Sequence, residues 1–208
     1  MLDSPTLAGH LVLLEPIELG HLEGLTAACS DTRDTFHYTG VPHDEASAHA
    51  YIVAAEQERE AGTSLPYAVV DRRRSHVVGS TRFMRIQYWN WPPDSPHQRG
   101  TELPDGVEIG ATWLSAGAQR TGINTEAKLL MLTHAFETWR VHRVRLTTDE
   151  RNARSRDSIE RLGARLDGVL RADHAAYDGH IRHSAYYSIL DSEWPGIKQA
   201  LSARLRLN

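Results

Sequence analysis

The chain has 208 residues, 40% of them hydrophobic, with a formal net charge of −4 and a pI near 6.3. A chain of this length forms one sizeable domain that buries about 70% of its unfolded surface, and the acidic balance argues against nucleic acid as the main partner. The single cysteine, Cys29, excludes an internal disulfide and a cysteine-based metal cluster, and it suits a reducing cytoplasm.

From the N-terminus, Met1–Pro16 shows no signal peptide, and no apolar run reaches spanning length anywhere. Leu7 to Pro16 reads as a first strand, stopped by its proline. His21 to Cys29 is a short helix, and Ser30 to Val41 an irregular polar loop. Asp44 is placed to N-cap a helix that ends near Gly62. Pro66–Asp71 and Val77 to about Ile86 are two strands joined by a tip carrying Arg72, Arg73 and Arg74. Such a run can suggest phosphate binding, but at a hairpin tip a solvated turn is the preferred reading. Tyr88 to Gly106 is long and irregular, with four prolines and the aromatics Tyr88, Trp89 and Trp91, which favour a packed lid or interface over a loose linker.

The chain then turns on Val107 to Phe136. Val107, Ile109, Ala111 and Trp113 alternate with Glu108, Gly110 and Thr112, the period of a strand. From about Thr125 a helix follows with a wide apolar face. Between them lies a short polar turn with Gly117 and Gly122, and a turn that opens a helix offers unpaired N–H groups and the positive dipole end to an anion. The Gly-x-x-x-x-Gly spacing of a nucleotide P-loop is present, but Ile123-Asn124 stands where Lys-Ser/Thr is required, so that reading fails. No dinucleotide fingerprint follows a strand either. After His142–Thr148, a strand, come a helix over Ser155–Leu162 and two strands, Arg165–Arg171 and Ile181–Leu190, around an Asp178-Gly179 turn. A terminal helix runs from Gly196 to Leu207. Twelve histidines are present, but His21, His37, His43 and His49 show no ligand spacing, so no metal site is expected.

Gln119-Arg120-Thr121-Gly122-Ile123-Asn124 resembles the Gln/Arg-x-x-Gly-x-Gly/Ala signature of the GNAT superfamily of acetyl-CoA-dependent N-acetyltransferases. The plain alternative is an ordinary strand–turn–helix connection. The element order also resembles that family, and shorter motifs narrow the resemblance to the branch of ribosomal-protein N-terminal acetyltransferases. These are Leu7-x-Gly9-x-Leu11, Glu108-Ile109-Gly110, Asn152-x-x-Ser155, Leu162-Gly163-Ala164, Gly168-Val169-Leu170-Arg171, and Asp178-Gly179 before Tyr186. Asn124 departs from the pattern, and its Cβ could crowd a pyrophosphate.

The resemblance implies an α/β fold: a single domain over residues 1–208 with a central mixed, mostly antiparallel sheet, flanking helices and a V-shaped cofactor cleft. It implies transfer of acetyl from acetyl-CoA to a primary amine, either a peptide or protein N-terminus or a small amine. A catalytically weak acyl-CoA-binding sensor is the alternative. A homodimer is also expected, with no metal, nucleic acid or membrane partner. The cofactor residues carried over are Trp113, Leu114, Ser115, Gln119, Arg120, Thr121, Gly122, Ile123, Asn124, Thr125 and Asn152. Ser155 is the candidate for protonating the departing thiolate, or else the N-cap of its helix. Glu108 is the candidate base acting through water, with Asp149, Asp173 and His174 as weaker alternatives. Tyr88, Trp89 and Trp91 are the candidate acceptor-side residues. An α-amine, with a pKa near 7.7–8.0, suits this chemistry better than a lysine side chain near 10.4.

Overall fold

A computed structural model describes residues 2–30 and 33–206. Met1, two positions of the expected Ser30–Val41 loop and the expected helix end at Leu207 lie outside the described residues. Strands β1 (Leu7–Ala8), β2 (Val12–Pro16), β3 (Ser64–Asp71), β4 (His76–Gln87), β5 (Gly106–Leu114), β6 (Arg143–Asp149), β7 (Arg165–Ala175) and β8 (Ile181–Leu190) form one sheet. Their order is β1-β2-β3-β4-β5-β6-β8-β7. Every neighbouring pair is antiparallel except β5 and β6. The expected mixed, mostly antiparallel sheet is thus present, and a parallel pair requires the crossover that α3 (Gly122–Thr133) supplies.

Helices cover both faces. On one face α1 (Leu22–Cys29) and α2 (Glu45–Glu60) close a cluster of Ile17, Leu25, Cys29, Ile52, Ala68 and Trp113. On the other, α3, α4 (Ala153–Arg161) and α5 (Trp194–Arg206) bury Val12, Tyr67, Phe83, Met131, Val144 and Tyr187. Asp44 caps α2 as its position implied, accepting from the Ser47 amide at 2.8 Å. The arginine-rich tip is an exposed hairpin turn closed by Ser75 N donating to Asp71 O at 2.8 Å. No helix among the described residues is long and apolar enough to cross a membrane.

Three expectations are corrected. The first strand is a hairpin, because Gly9–Leu11 turn around the buried carboxylate of Glu126. That carboxylate accepts from the amides of His10 (2.9 Å), Leu11 (2.6 Å) and Val12 (2.8 Å), satisfying donors a turn would otherwise leave unpaired. Helix α3 starts at Gly122 rather than Thr125, since Thr121 caps it. Strand β7 runs on to Ala175 through two register shifts against β8, the kind of bulging that blunts an edge strand.

Candidate functional site

Strand β5 is held on one side only for most of its length. It pairs with β4 from Gly106–Gln87 to Leu114–Gly79, but with β6 only through Gly106–Glu108 against Arg143–Arg145. Beyond Glu108 the two parallel strands part, which leaves the backbone N–H and C=O groups along one edge of Ile109–Leu114 without a strand partner. Such an edge can take an extended ligand by main-chain hydrogen bonding. The register slips within it: Ser80 faces Trp113 while Arg82 faces Gly110, so β5 carries one extra residue, and Ala111 adopts a φ of 47°. A non-glycine residue held there costs about 1–2 kcal/mol, and bulges of this kind re-aim a strand beside a site.

The turn after β5 is braced from within. Thr121 accepts from the Ile123 amide at 3.2 Å and donates to Ala118 O at 2.7 Å, so α3 opens with no acidic residue in its first turn. Gln119 spends its side chain internally: Nε2 donates to Leu114 O (2.8 Å) and Thr35 Oγ1 (2.9 Å), while Oε1 accepts from Arg154 (3.0 Å). Arg154 also donates to Thr35 O at 2.7 Å, tying α4 to the loop that precedes α2. Burial, and then the neighbouring charge of Arg120, lower the proton affinity of Arg154. Exposed Arg120 stands in the turn at a φ of 59°. Two cations and the positive end of α3 therefore converge with no carboxylate among them in the described residues, an arrangement suited to a multiply charged anion.

The remaining residues of the expected cofactor set divide. Trp113 packs its ring against Phe36 and Tyr51, so only its backbone can meet the free edge. Gly122 points inward, where an added Cβ would stand 2.7 Å from Leu11 Cδ1; its glycine serves packing against the first hairpin. Ile123 is buried, Thr125 half-buried, and Ser115 donates its amide to Val78 O at 2.8 Å. The Asn124 side chain turns toward α4, with Nδ2 3.4 Å from Ser158 Oγ, and its buried Oδ1 has no hydrogen-bond partner among the described residues. At the end of β6, Asn152 rather than Ser155 caps α4, because its Oδ1 accepts from the Ser155 amide at 3.1 Å. The reading of Ser155 as N-cap is thereby corrected. Its half-buried hydroxyl has no hydrogen-bond partner among the described residues.

On the sheet face away from α3, buried Glu108 receives Arg145 Nε at 2.8 Å and Arg85 Nε at 3.4 Å on one oxygen, Oε2. Arg145 in turn lies 5.2 Å over the Tyr186 ring. The weaker alternatives are engaged elsewhere. Hydrogen bonding from Arg151 holds Asp149 below the usual carboxylate range, and bonding by Ser184, then His174 and Tyr186, does the same for Asp173. Trp89 and Trp91 lie at the paired end of β5, where Asp105 accepts from Trp89 N (2.7 Å) and Trp91 Nε1 (2.8 Å). Trp89 stacks on His142, lies beneath Arg143 and reaches Gly106, so it borders the face bearing Glu108 and does not cover the turn. Tyr88 is more than half exposed beside it.

Sequence reasoning missed Arg154, the arginines on Glu108, and Lys128. For Lys128 a signal existed, a lone cation inside the apolar run of α3. Its Nζ is buried between Thr81 Oγ1 (2.9 Å) and Thr112 Oγ1 (2.6 Å). Among the described residues no group of three or more His, Cys, Asp or Glu is placed to hold a metal ion.

A family profile described as "Acetyltransferase (GNAT) domain" matches residues 12–165. The Bacillus subtilis (strain 168) protein YdaF, named "Putative ribosomal N-acetyltransferase", is 35% identical over 92 residues, 44% of this chain. That match spans 49% of YdaF, about half the relative's length. A GCN5-related N-acetyltransferase from Brucella melitensis superposes with a TM-score of 0.84 at 27% identity, over 98% of this chain and 86% of that one. Mycobacterium smegmatis RimJ in complex with CoA-disulfide shares the fold at a TM-score of 0.76 and 21% identity, over 96% and 91% of the two chains.

Proposed function

The chain belongs to the GNAT acetyltransferase domain family, and on that footing we propose that it moves the acetyl group of acetyl-CoA to a primary amine, an N-terminal α-amine of a peptide or protein or a small amine. The observation that carries the reading is the free edge of β5 running into a turn where Arg120, Arg154 and the start of α3 gather. In this reading the thioester arm lies along Ile109–Leu114, and the pyrophosphate meets the amides and cations of residues 120–124. Trp113–Leu114, Ser115, Thr125 and Asn152 take part through backbone or flanking contacts. A strand N–H polarises the acetyl carbonyl, as in an oxyanion hole. The amine attacks that carbon, the C–S bond breaks, and the CoA thiolate leaves, taking up a proton from solvent that Ser155 relays. Glu108, whose Oε1 has no partner among the described residues, receives the amine's proton through water. Tyr88 and Trp89 flank the acceptor as it crosses the open face; Trp91 supports them. The names of YdaF and the CoA ligand of RimJ support the acceptor and cofactor classes.

The homodimer is kept with this proposal, since edge strand β7 exposes Leu166, Val169 and Leu170, which a second copy would cover. So is a cytoplasmic location, for which the unpaired Cys29 is suited. The test is thiol release from acetyl-CoA with panels of amines and short peptides, on protein whose light-scattering mass should be that of two copies. Acceptor-dependent release is expected, strongest with α-amines. Cofactor binding with no release by any acceptor would favour the sensor reading.

A further inference from the structure

The bulge in β5 rests on a polar group that the transfer chemistry above leaves unused. Lys128, on the second turn of α3, points into the sheet, where its Nζ donates to Thr81 Oγ1 on β4 (2.9 Å) and Thr112 Oγ1 on β5 (2.6 Å). The two hydroxyls are themselves 2.8 Å apart, and Thr112 Oγ1 reaches across the bulge to Gly110 O at 3.4 Å. A chain of donors thus runs from the amine through Thr112 to the backbone of the segment where β5 carries its extra residue. We propose that Lys128 is a positioning residue for acetyl transfer, fixing Gly110–Trp113 so that the free edge of β5 meets the thioester.

The inference rests on the acetyl-transfer reading, but its footing is separate. An uncharged amine has two N–H groups, and the two hydroxyls accept both. One hydroxyl proton then serves the Thr81–Thr112 bond and the other Gly110 O. A third proton on the nitrogen has no acceptor among the described residues. Among the described residues no carboxylate answers it: Glu126 on the same helix is taken by the first hairpin, Glu58 pairs with Arg82, and Glu108 faces Arg85 and Arg145 on the far side of the sheet. Burial accordingly pushes the amine down to about 7. A buried polar group with no counter-charge persists where a specific arrangement depends on it, and this one is fastened to the bulge.

The experiment compares wild type with Lys128→Met, which fills the space without donors, and Lys128→Gln, whose neutral amide keeps two. Steady-state kcat at saturating acceptor is read at pH 8 and pH 6, beside acetyl-CoA affinity by calorimetry and hydrogen exchange of the Gly110–Leu114 amides. Lys128→Met should lower kcat tenfold or more at pH 8, with faster exchange in the bulge and acetyl-CoA affinity within about threefold of wild type. Lys128→Gln should restore most of that loss. The ratio of wild-type to Gln rates should fall several-fold from pH 8 to pH 6, a comparison in which the acceptor's own titration cancels. A Met variant with wild-type kcat and unchanged exchange overturns the proposal, as does a rate ratio flat with pH. Wild type that binds acetyl-CoA but acetylates nothing contradicts the acetyl-transfer reading, and the positioning role falls with it.

Discussion

Ser155 is the residue at which structure sharpens chemistry most. Asn152 performs the capping, so the serine occupies the third position of α4 with its hydroxyl unclaimed. A departing thiolate whose thiol has a pKa near 8.5 takes up a proton at neutral pH, and a hydroxyl in reach can relay that proton to it. As a mere helix residue, serine is slightly worse than alanine, by a few tenths of a kcal/mol. Ser155→Ala should therefore leave the melting temperature unchanged or slightly raised while kcat drops by about 100-fold. An unchanged kcat withdraws the role. Residue identities at this site were only partly legible in the sequence. The Asn-x-x-Ser spacing flagged both positions, yet which of the two caps depends on where the helix axis begins, which a side chain does not announce. Likewise Gln119 and Gly122 stood in the right motif for reasons that packing explains better than ligand contact: one braces Leu114 and Thr35, the other makes room for Leu11.

Helix α3 shows how an element carries a cost as well as a site. Its buried Lys128 titrates near 7 in the folded chain and near 10.4 when unfolded, so between those values the unfolded chain holds the extra proton. The penalty is full below about pH 7 and fades as pH rises toward the unfolded value, so this group makes stability climb by about 1.4 kcal/mol per pH unit in that window. Urea unfolding of wild type and Lys128→Met at pH 7 and pH 9 should show wild type gaining about 2–3 kcal/mol on the variant. Parallel behaviour would mean the amine is not held neutral. Periodicity located this helix and every long strand, since apolar spacing is what core burial selects. It misplaced the start of α3 because Gly122-Ile123-Asn124 resemble a turn until Thr121 is seen to cap them. It missed the first hairpin because the carboxylate that stabilises that turn lies 114 to 116 positions away, on Glu126.

At the scale of the whole molecule, the sheet's one parallel pair decides what the fold can do. Strands β5 and β6 pair over only three positions before they separate, and α3 and α4 begin beside the gap, one bringing amides and the other Arg154. The resemblance of the element order to the GNAT family implied this architecture in advance, and the helical crossover of α3 is what its parallel pair requires. The convergence of cations was not legible, since Arg120 and Arg154 are 34 positions apart and only folding places them together. The central claim is that this convergence holds the pyrophosphate of acetyl-CoA, and calorimetric titration of acetyl-CoA into wild type and Arg120→Glu tests it most directly. The wild type should bind saturably at about 1–100 μM, as substrates of enzymes commonly do, and more weakly as salt rises. The folded Arg120→Glu variant should bind at least tenfold more weakly. Equal affinity in the two proteins, or no saturable heat with wild type, would contradict the account.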